Sequence, residues 1–106
     1  MINCQFIFEF LGADDYYTRL DDAIDAYAKS LDGYVGTEVW FSEDRRFKNA
    51  SYYFESMDAV RELAAYPQHI EAKAENQRWY GGYQIVVSEV TASYGNGRLN
   101  HLTDRQ

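Results

Sequence analysis

The residues best suited to chemistry in this chain lie between Tyr66 and Tyr83, in the run YPQHIEAKAENQRWYGGY. Pro67 fits the first turn of a helix, where its missing N–H costs nothing, and it stops any helix that came before. From there His69, Ala72, Asn76, Trp79 and Tyr80 recur at helical spacing, so a helix running on to Tyr80 sets them on one face. A core stripe would put Leu or Ile at those positions. This face offers an imidazole, an amide, an indole and a phenol instead, which suits the wall of a ligand pocket. The plainer reading makes Trp79 and Tyr80 packing aromatics and leaves His69 and Asn76 satisfied by backbone groups.

Other chemistry finds little support. There is no HExxH, no paired CxxC and no GxSxG elbow, so no metal site or serine nucleophile is expected. His101 falls in a polar tail and reads as solvated. Glu71 and Glu75 share a helix face, but Lys73 and Arg78 nearby point to surface ion pairs rather than a catalytic dyad. The aspartates at 21, 22 and 25 read as a solvated helix face. Cys4, the single cysteine, sits in an expected strand as a small buried apolar residue.

The composition narrows the partners. A net charge of −7 over 106 residues repels phosphate backbones and anionic lipid, so neither nucleic acid nor a membrane is an expected partner. No apolar run approaches the ~20 residues that span a bilayer. The N-terminus has no basic stretch and carries Glu9 among its apolar residues, so no signal peptide is read and the cytoplasm is the expected compartment. Ten Tyr, six Phe and two Trp make large amphipathic rings the main packing material, a composition that favours interfaces and semi-polar pockets.

The elements that must position these residues follow from periodicity. Ile2, Cys4, Phe6, Phe8 and Phe10 alternate with Asn3, Gln5, Ile7 and Glu9, giving a strand with one strongly apolar face. Asp14 or Asp15 caps a helix whose Tyr17, Leu20, Ile24, Tyr27 and Leu31 form the buried stripe, with Gly33 as its C′ residue. Tyr34–Ser42 and Phe47–Glu55 form a hairpin about Glu43–Arg46; Val35, Thr37, Val39 and Phe41 share one face of the first arm, Tyr34, Glu38 and Trp40 the other. Ser56 caps a second helix with Met57, Val60, Leu63 and Ala64 inward. Gly81-Gly82 breaks the third helix, and Tyr83–Tyr94 is the last strand. The domain therefore spans residues 1–94, followed by a polar tail over 95–106.

The order β-α-β-β-α-α-β matches an α+β, ferredoxin-like fold with a four-stranded antiparallel sheet. Its helices cover one sheet face. The other face, with Ile7, a Trp40 or Phe41 and a Tyr53 or Tyr52, is too apolar for a monomer, and a second copy packed sheet to sheet in a homodimer is the expected cover.

With these residues the chain resembles the antibiotic-biosynthesis-monooxygenase-like family of dimeric α/β barrel proteins, over about Phe6 to Tyr94. The matching features are Gly33-Tyr34 opening the second strand, Phe54-Glu55-Ser56, the step Pro67-x-His69 into the third helix, and Trp79-Tyr80 before the last strand. The resemblance implies a cofactor-independent oxidation of a small phenolic compound by O₂. It implies His69 as the base, its unperturbed pKa of about 6.5 suited to neutral pH. It makes Trp79, Tyr80, Asn49 and Tyr53 walls and hydrogen-bond donors. A haem-degrading branch shares the fold, but Leu63 stands where that branch has its Trp, and Asn3 lies too early in the first strand. No cofactor is expected. A non-catalytic ligand-binding or structural dimer is the alternative the same resemblance allows.

Overall fold

A computed structural model describes residues 1–12, 14–75 and 78–104. The alternating N-terminus forms β1 (Ile2–Phe10). It is followed by α1 (Asp15–Ser30), the hairpin β2 (Tyr34–Phe41) and β3 (Phe47–Phe54), α2 (Met57–Ala65), α3 (Pro67–Ala74), β4 (Tyr80–Glu89) and a 3-10 turn at Leu102–Asp104. The sheet order is β2-β3-β1-β4, every neighbouring pair antiparallel. This is the expected α+β, ferredoxin-like arrangement, with each β-α-β unit split by a strand of the other.

Register decides which residues face the helices. Cys4 pairs with Tyr52 and Val87, and Phe6 with Ala50 and Ile85. Cys4, Tyr52 and Phe54 are buried against Ala28, Ala59 and Leu63. Burial pushes the Cys4 thiol up to about 11, which keeps it an inert, uncharged packing group. Ala59, rather than the expected Ala64, takes the inward position on α2, while Ala64 is exposed.

Asp14 is the N-cap of α1. Its carboxylate accepts the backbone N–H of Tyr17 at 2.8 Å. It also accepts the indole N–H of Trp79 at 3.2 Å and lies 2.8 Å from the Arg78 guanidinium. The Tyr17 hydrogen bond, then Trp79 and Arg78, hold this carboxyl below its usual range. One side chain thus ties the start of α1 to the start of β4. Ser56 occupies the N-cap position of α2, yet its side chain makes no capping bond. Leu31 is the C-cap of α1, so Gly33 lies one position later than expected; its φ of +88° suits glycine, and its carbonyl accepts the Glu55 N–H at 2.7 Å.

Three expectations are corrected. The third helix stops at Ala74, with Glu75 as its C-cap, instead of continuing to Tyr80. Trp79 and Tyr80 are drawn into the sheet, where the Leu11 N–H bonds the Trp79 carbonyl at 2.6 Å and Tyr80 pairs with Phe10. Gly81-Gly82 therefore lies inside β4 and breaks no helix. The last strand ends at Glu89 rather than Tyr94, because the Val90 N–H already bonds the carbonyl of Met1, where β1 runs out of partners. In β2, a register shift between Tyr34 and Gly36 returns Tyr34 to the Thr37 side, and the two hydroxyls lie 2.6 Å apart.

The face away from the helices carries Ile7, Trp40, Asn49, Tyr53 and Val86, and Trp40 is 65% exposed. One end of it is covered by the chain's own tail. Leu102 fills the space a Cβ on Gly36 would take. His101, expected in solvent, is half-buried with Nε2 at 2.8 Å from Glu38 Oε1 and its ring edge on Tyr53. Phe54 is fully buried on the other face, in the cluster with Ala28, Ala59 and Leu63. Phe54→Ala should therefore cost about 3–5 kcal/mol of stability, the range for truncating a buried aromatic. Chemical denaturation measures it, and a loss below about 1 kcal/mol would contradict this packing.

Candidate functional site

The short third helix leaves a space over β1 and β4. A cavity of ≈ 410 Å³ opens there between α1, α3 and the helix-side face of β1, β3 and β4. That volume suits a small organic ligand. Its walls are mainly apolar, from Phe6, Phe8, Ile24, Leu63 and Ile85. Groups that can titrate or donate also line it, among them Asp21, Lys48, His69, Lys73, Tyr80 and Gln84.

His69 is the third residue of α3. Pro67 starts the helix, and the His69 N–H bonds the Tyr66 carbonyl at 3.0 Å, so the imidazole is held in the first turn. Its ring meets Phe6 edge to face, with centroids 5.8 Å apart. Nδ1 is buried with no hydrogen-bond partner among the described residues. Burial, and then the charge of Lys73, lower its pKa from the ordinary value; the carbonyls of Leu63 and Ala64 oppose the shift in part. The shift favours the neutral ring at neutral pH, with Nδ1 unclaimed among the described residues.

Tyr80 lies across the cavity on β4. Its ring packs on Phe8 with centroids 4.2 Å apart, and its phenol, hydrogen-bonded to that of Tyr17, is pushed up to about 12, chiefly by burial. Lys48 projects from β3, its ammonium 5.6 Å from the Phe8 ring centroid and 3.4 Å from the Tyr17 hydroxyl. Burial raises the Asp21 carboxyl, against the opposing charge of Lys48.

The sequence-derived candidates separate. His69 and Tyr80 line the same cavity. Trp79 is 1% exposed, packed against Tyr16 and Tyr17 and bonded to Asp14, so it is a core residue that positions its neighbours. Asn49 and Tyr53 lie on the opposite sheet face. Asn49 donates to Gln5 Oε1 at 2.9 Å and leaves its own Oδ1 buried without a partner among the described residues; Tyr53 sits beside His101. Asn76 lies outside the described residues.

Two lining residues escaped the sequence reading although their phase gave them away. Lys48 alternates in step with Ala50, Tyr52 and Phe54, the buried side of β3. Asp21 falls four residues after Tyr17 and three before Ile24, on the inward stripe of α1. Among the described residues, no group of three or more His, Cys, Asp or Glu side chains is placed to hold a metal ion. No helix among them is long and apolar enough to cross a membrane.

No family model matches the sequence, and no curated protein matches it. Solved structures do match. SnoaB of Streptomyces nogalater, a cofactor-independent oxygenase solved in that case as a single-site mutant, superposes with a TM-score of 0.70 at 14% identity, over 87% of this chain and 94% of its own. Rv0793 of Mycobacterium tuberculosis does so with a TM-score of 0.66 at 15% identity, over 89% and 98%. An antibiotic-biosynthesis-monooxygenase-like protein of Deinococcus radiodurans gives 0.66 at 12% identity, over 90% and 97%. The chain has the fold of the antibiotic-biosynthesis-monooxygenase-like proteins over nearly its whole length.

The buried state of His69 has a pH signature. Its folded pKa lies below the unfolded value of about 6.5, so the unfolded chain takes up the proton first as pH falls. The stability associated with the neutral ring is present above that value and is lost on acidification. His69→Gln should lose less stability than the wild type between about pH 7 and about pH 5. Urea titrations at both pH values test this, and parallel pH dependence in the two proteins would contradict a buried neutral His69.

Proposed function

We propose that the helix-side cavity binds a small aromatic or phenolic compound and that the chain is a cofactor-independent oxygenase of the antibiotic-biosynthesis-monooxygenase type. The observation that carries this reading is the buried imidazole of His69, neutral and with an unclaimed Nδ1, in the wall of a cavity built from aromatic and aliphatic side chains. The shared fold with a cofactor-independent oxygenase supports the choice of reaction.

In this reading a phenol enters with its ring against Phe6, Phe8 and Tyr80. His69 accepts the hydroxyl proton as general base, its lowered pKa keeping the ring in the form that can do so. The resulting anion is the reductant for O₂. One oxygen atom ends on a ring carbon as the second quinone carbonyl. The other leaves as water with the hydroxyl proton and the hydrogen displaced from that carbon, so a phenol and O₂ give a quinone and water. Of the residues picked out on the opposite sheet face, Asn49 and Tyr53 belong in this reading to the interface of a homodimer. Ile7, Trp40 and Val86 lie exposed or half-exposed beside them.

His69→Ala should leave the melting temperature nearly unchanged, since Nδ1 orphans no partner when it is removed. It should weaken binding or oxidation of naphthol- and anthrone-like compounds at least about tenfold, ~1.4 kcal/mol. A large drop in melting temperature, together with a wild type that binds no phenol, would overturn this use of the cavity. Light scattering coupled to size exclusion should give twice the chain mass of 12.3 kDa, held across dilution by an interface above ~1,000 Å². A folded monomer at micromolar concentration would rule out the dimer.

A further inference from the structure

Lys48 is a half-buried lining group that proton removal by His69 leaves without a task. In β3 it stands in phase with Ala50, Tyr52 and Phe54, on the side that packs against the helices, where strand patterning calls for an apolar residue. Its ammonium is held over rings: 5.6 Å from the centroid of Phe8, 6.0 Å from Tyr17 and 5.9 Å from Phe41. Its hydrogen bond to the Tyr17 hydroxyl is long, at 3.4 Å.

Four other cations of the chain are in ion pairs, while Lys73, which also lines the cavity, is in none among the described residues but is exposed to solvent. Lys29 pairs with Asp25, Arg46 with Glu9, Arg61 with Asp58 and Arg78 with Asp14. Lys48 forms no ion pair among the described residues. Asp21 lines the same cavity and feels the Lys48 charge, but it is not in ion-pair contact with it. Ring faces attract a cation without neutralising it. A half-buried ammonium in this setting has given up part of its water without a carboxylate in contact with it, so an anionic oxygen entering the cavity gains a charge-assisted partner.

We infer that Lys48 is the anion-recognising residue of this cavity, and that its ligands are flat aromatic compounds bearing a carboxylate or phenolate oxygen that seats on the Lys48 ammonium. The inference rests on the reading of the cavity as the ligand site and narrows it to a class. The surrounding protein is strongly acidic, so an anion that is repelled elsewhere on the surface finds its attraction concentrated at this point. Lys48 thereby sets specificity and orientation; the proton transfer remains with His69.

Two probes of the same shape separate charge from fit: 2-naphthoate, anionic at neutral pH, and the neutral 2-naphthamide. Both are titrated into wild type, Lys48→Met and Lys48→Arg, with competition between the probes to show a shared site and a thermal melt to show that each variant folds. Wild type should prefer naphthoate by about tenfold or more. Lys48→Met should bring the two affinities within about twofold of each other while holding that of the amide, and Lys48→Arg should keep the preference. The wild-type comparison needs no variant to fold. Equal affinity of the two probes for wild type, or a preference that survives in Lys48→Met, would overturn the anion inference and leave the cavity as a ligand site. Failure of wild type to bind either probe would remove the cavity reading and the inference together.

Discussion

A four-stranded sheet has two faces to cover, and this chain carries helix for only part of one. The register forces the issue: β4 is an edge strand with Tyr83, Ile85 and Val87 on the helix side and Val86 on the other, and all four are exposed. Helix α3 has eight residues and so reaches ~12 Å. The cavity is the strip of β1 and β4 that α3 does not reach. The same shortage leaves Trp40 and its neighbours open on the far side, where the chain's own tail shields only the end around Gly36, Glu38 and Tyr53.

What shortens α3 is also what holds its histidine in place. The ladder from β1 extends past Phe10 to take the Trp79 carbonyl, and Asp14 takes the Trp79 indole, so the segment after Ala74 is anchored to the start of α1. At the other end Pro67 follows Tyr66, whose ring stacks on Tyr27 with centroids 3.9 Å apart. Between these anchors the His69 ring is packed on Phe6 with Nδ1 unpaired. Leaving a buried polar atom unsatisfied costs on the order of 1–3 kcal/mol, which a fold selected for stability alone would remove. An unclaimed imidazole nitrogen and an ammonium without a carboxylate, in one cavity, are local rules broken together at the place where the packing also leaves room.

The elements themselves were legible because period two and period 3.6 are written plainly in β1, α1 and β3. Pro67 marked the start of α3 correctly, since its effect is local. The end of α3 was not legible: Ala72 and Ala74 favour helix, and the competing claim on Trp79 and Tyr80 comes from a strand that lies some seventy residues earlier. Gly81-Gly82 looked like a helix breaker for the same reason, whereas a Cβ at Gly81 would collide with the Glu9 carboxylate across the sheet. The bulge at Val35 was invisible because it depends on how β2 meets β3, and it reversed the face of Tyr34. Of the residues that line the cavity, His69 and Tyr80 were singled out from residue type, an assumed helical spacing and the family resemblance, while Lys48 and Asp21 needed their phase to be weighed against their charge.

The proposed function requires that ligands enter the helix-side cavity. Amide chemical-shift mapping with 1-naphthol locates a bound aromatic without relying on turnover or on any variant. Saturable shifts should concentrate at Phe6, Phe8, Ala50, His69 and Ile85, with Glu38 and Trp40 unmoved. Shifts centred on Glu38, Trp40 and Val86, with His69 silent, would place the ligand on the opposite face of the sheet and contradict the proposed function.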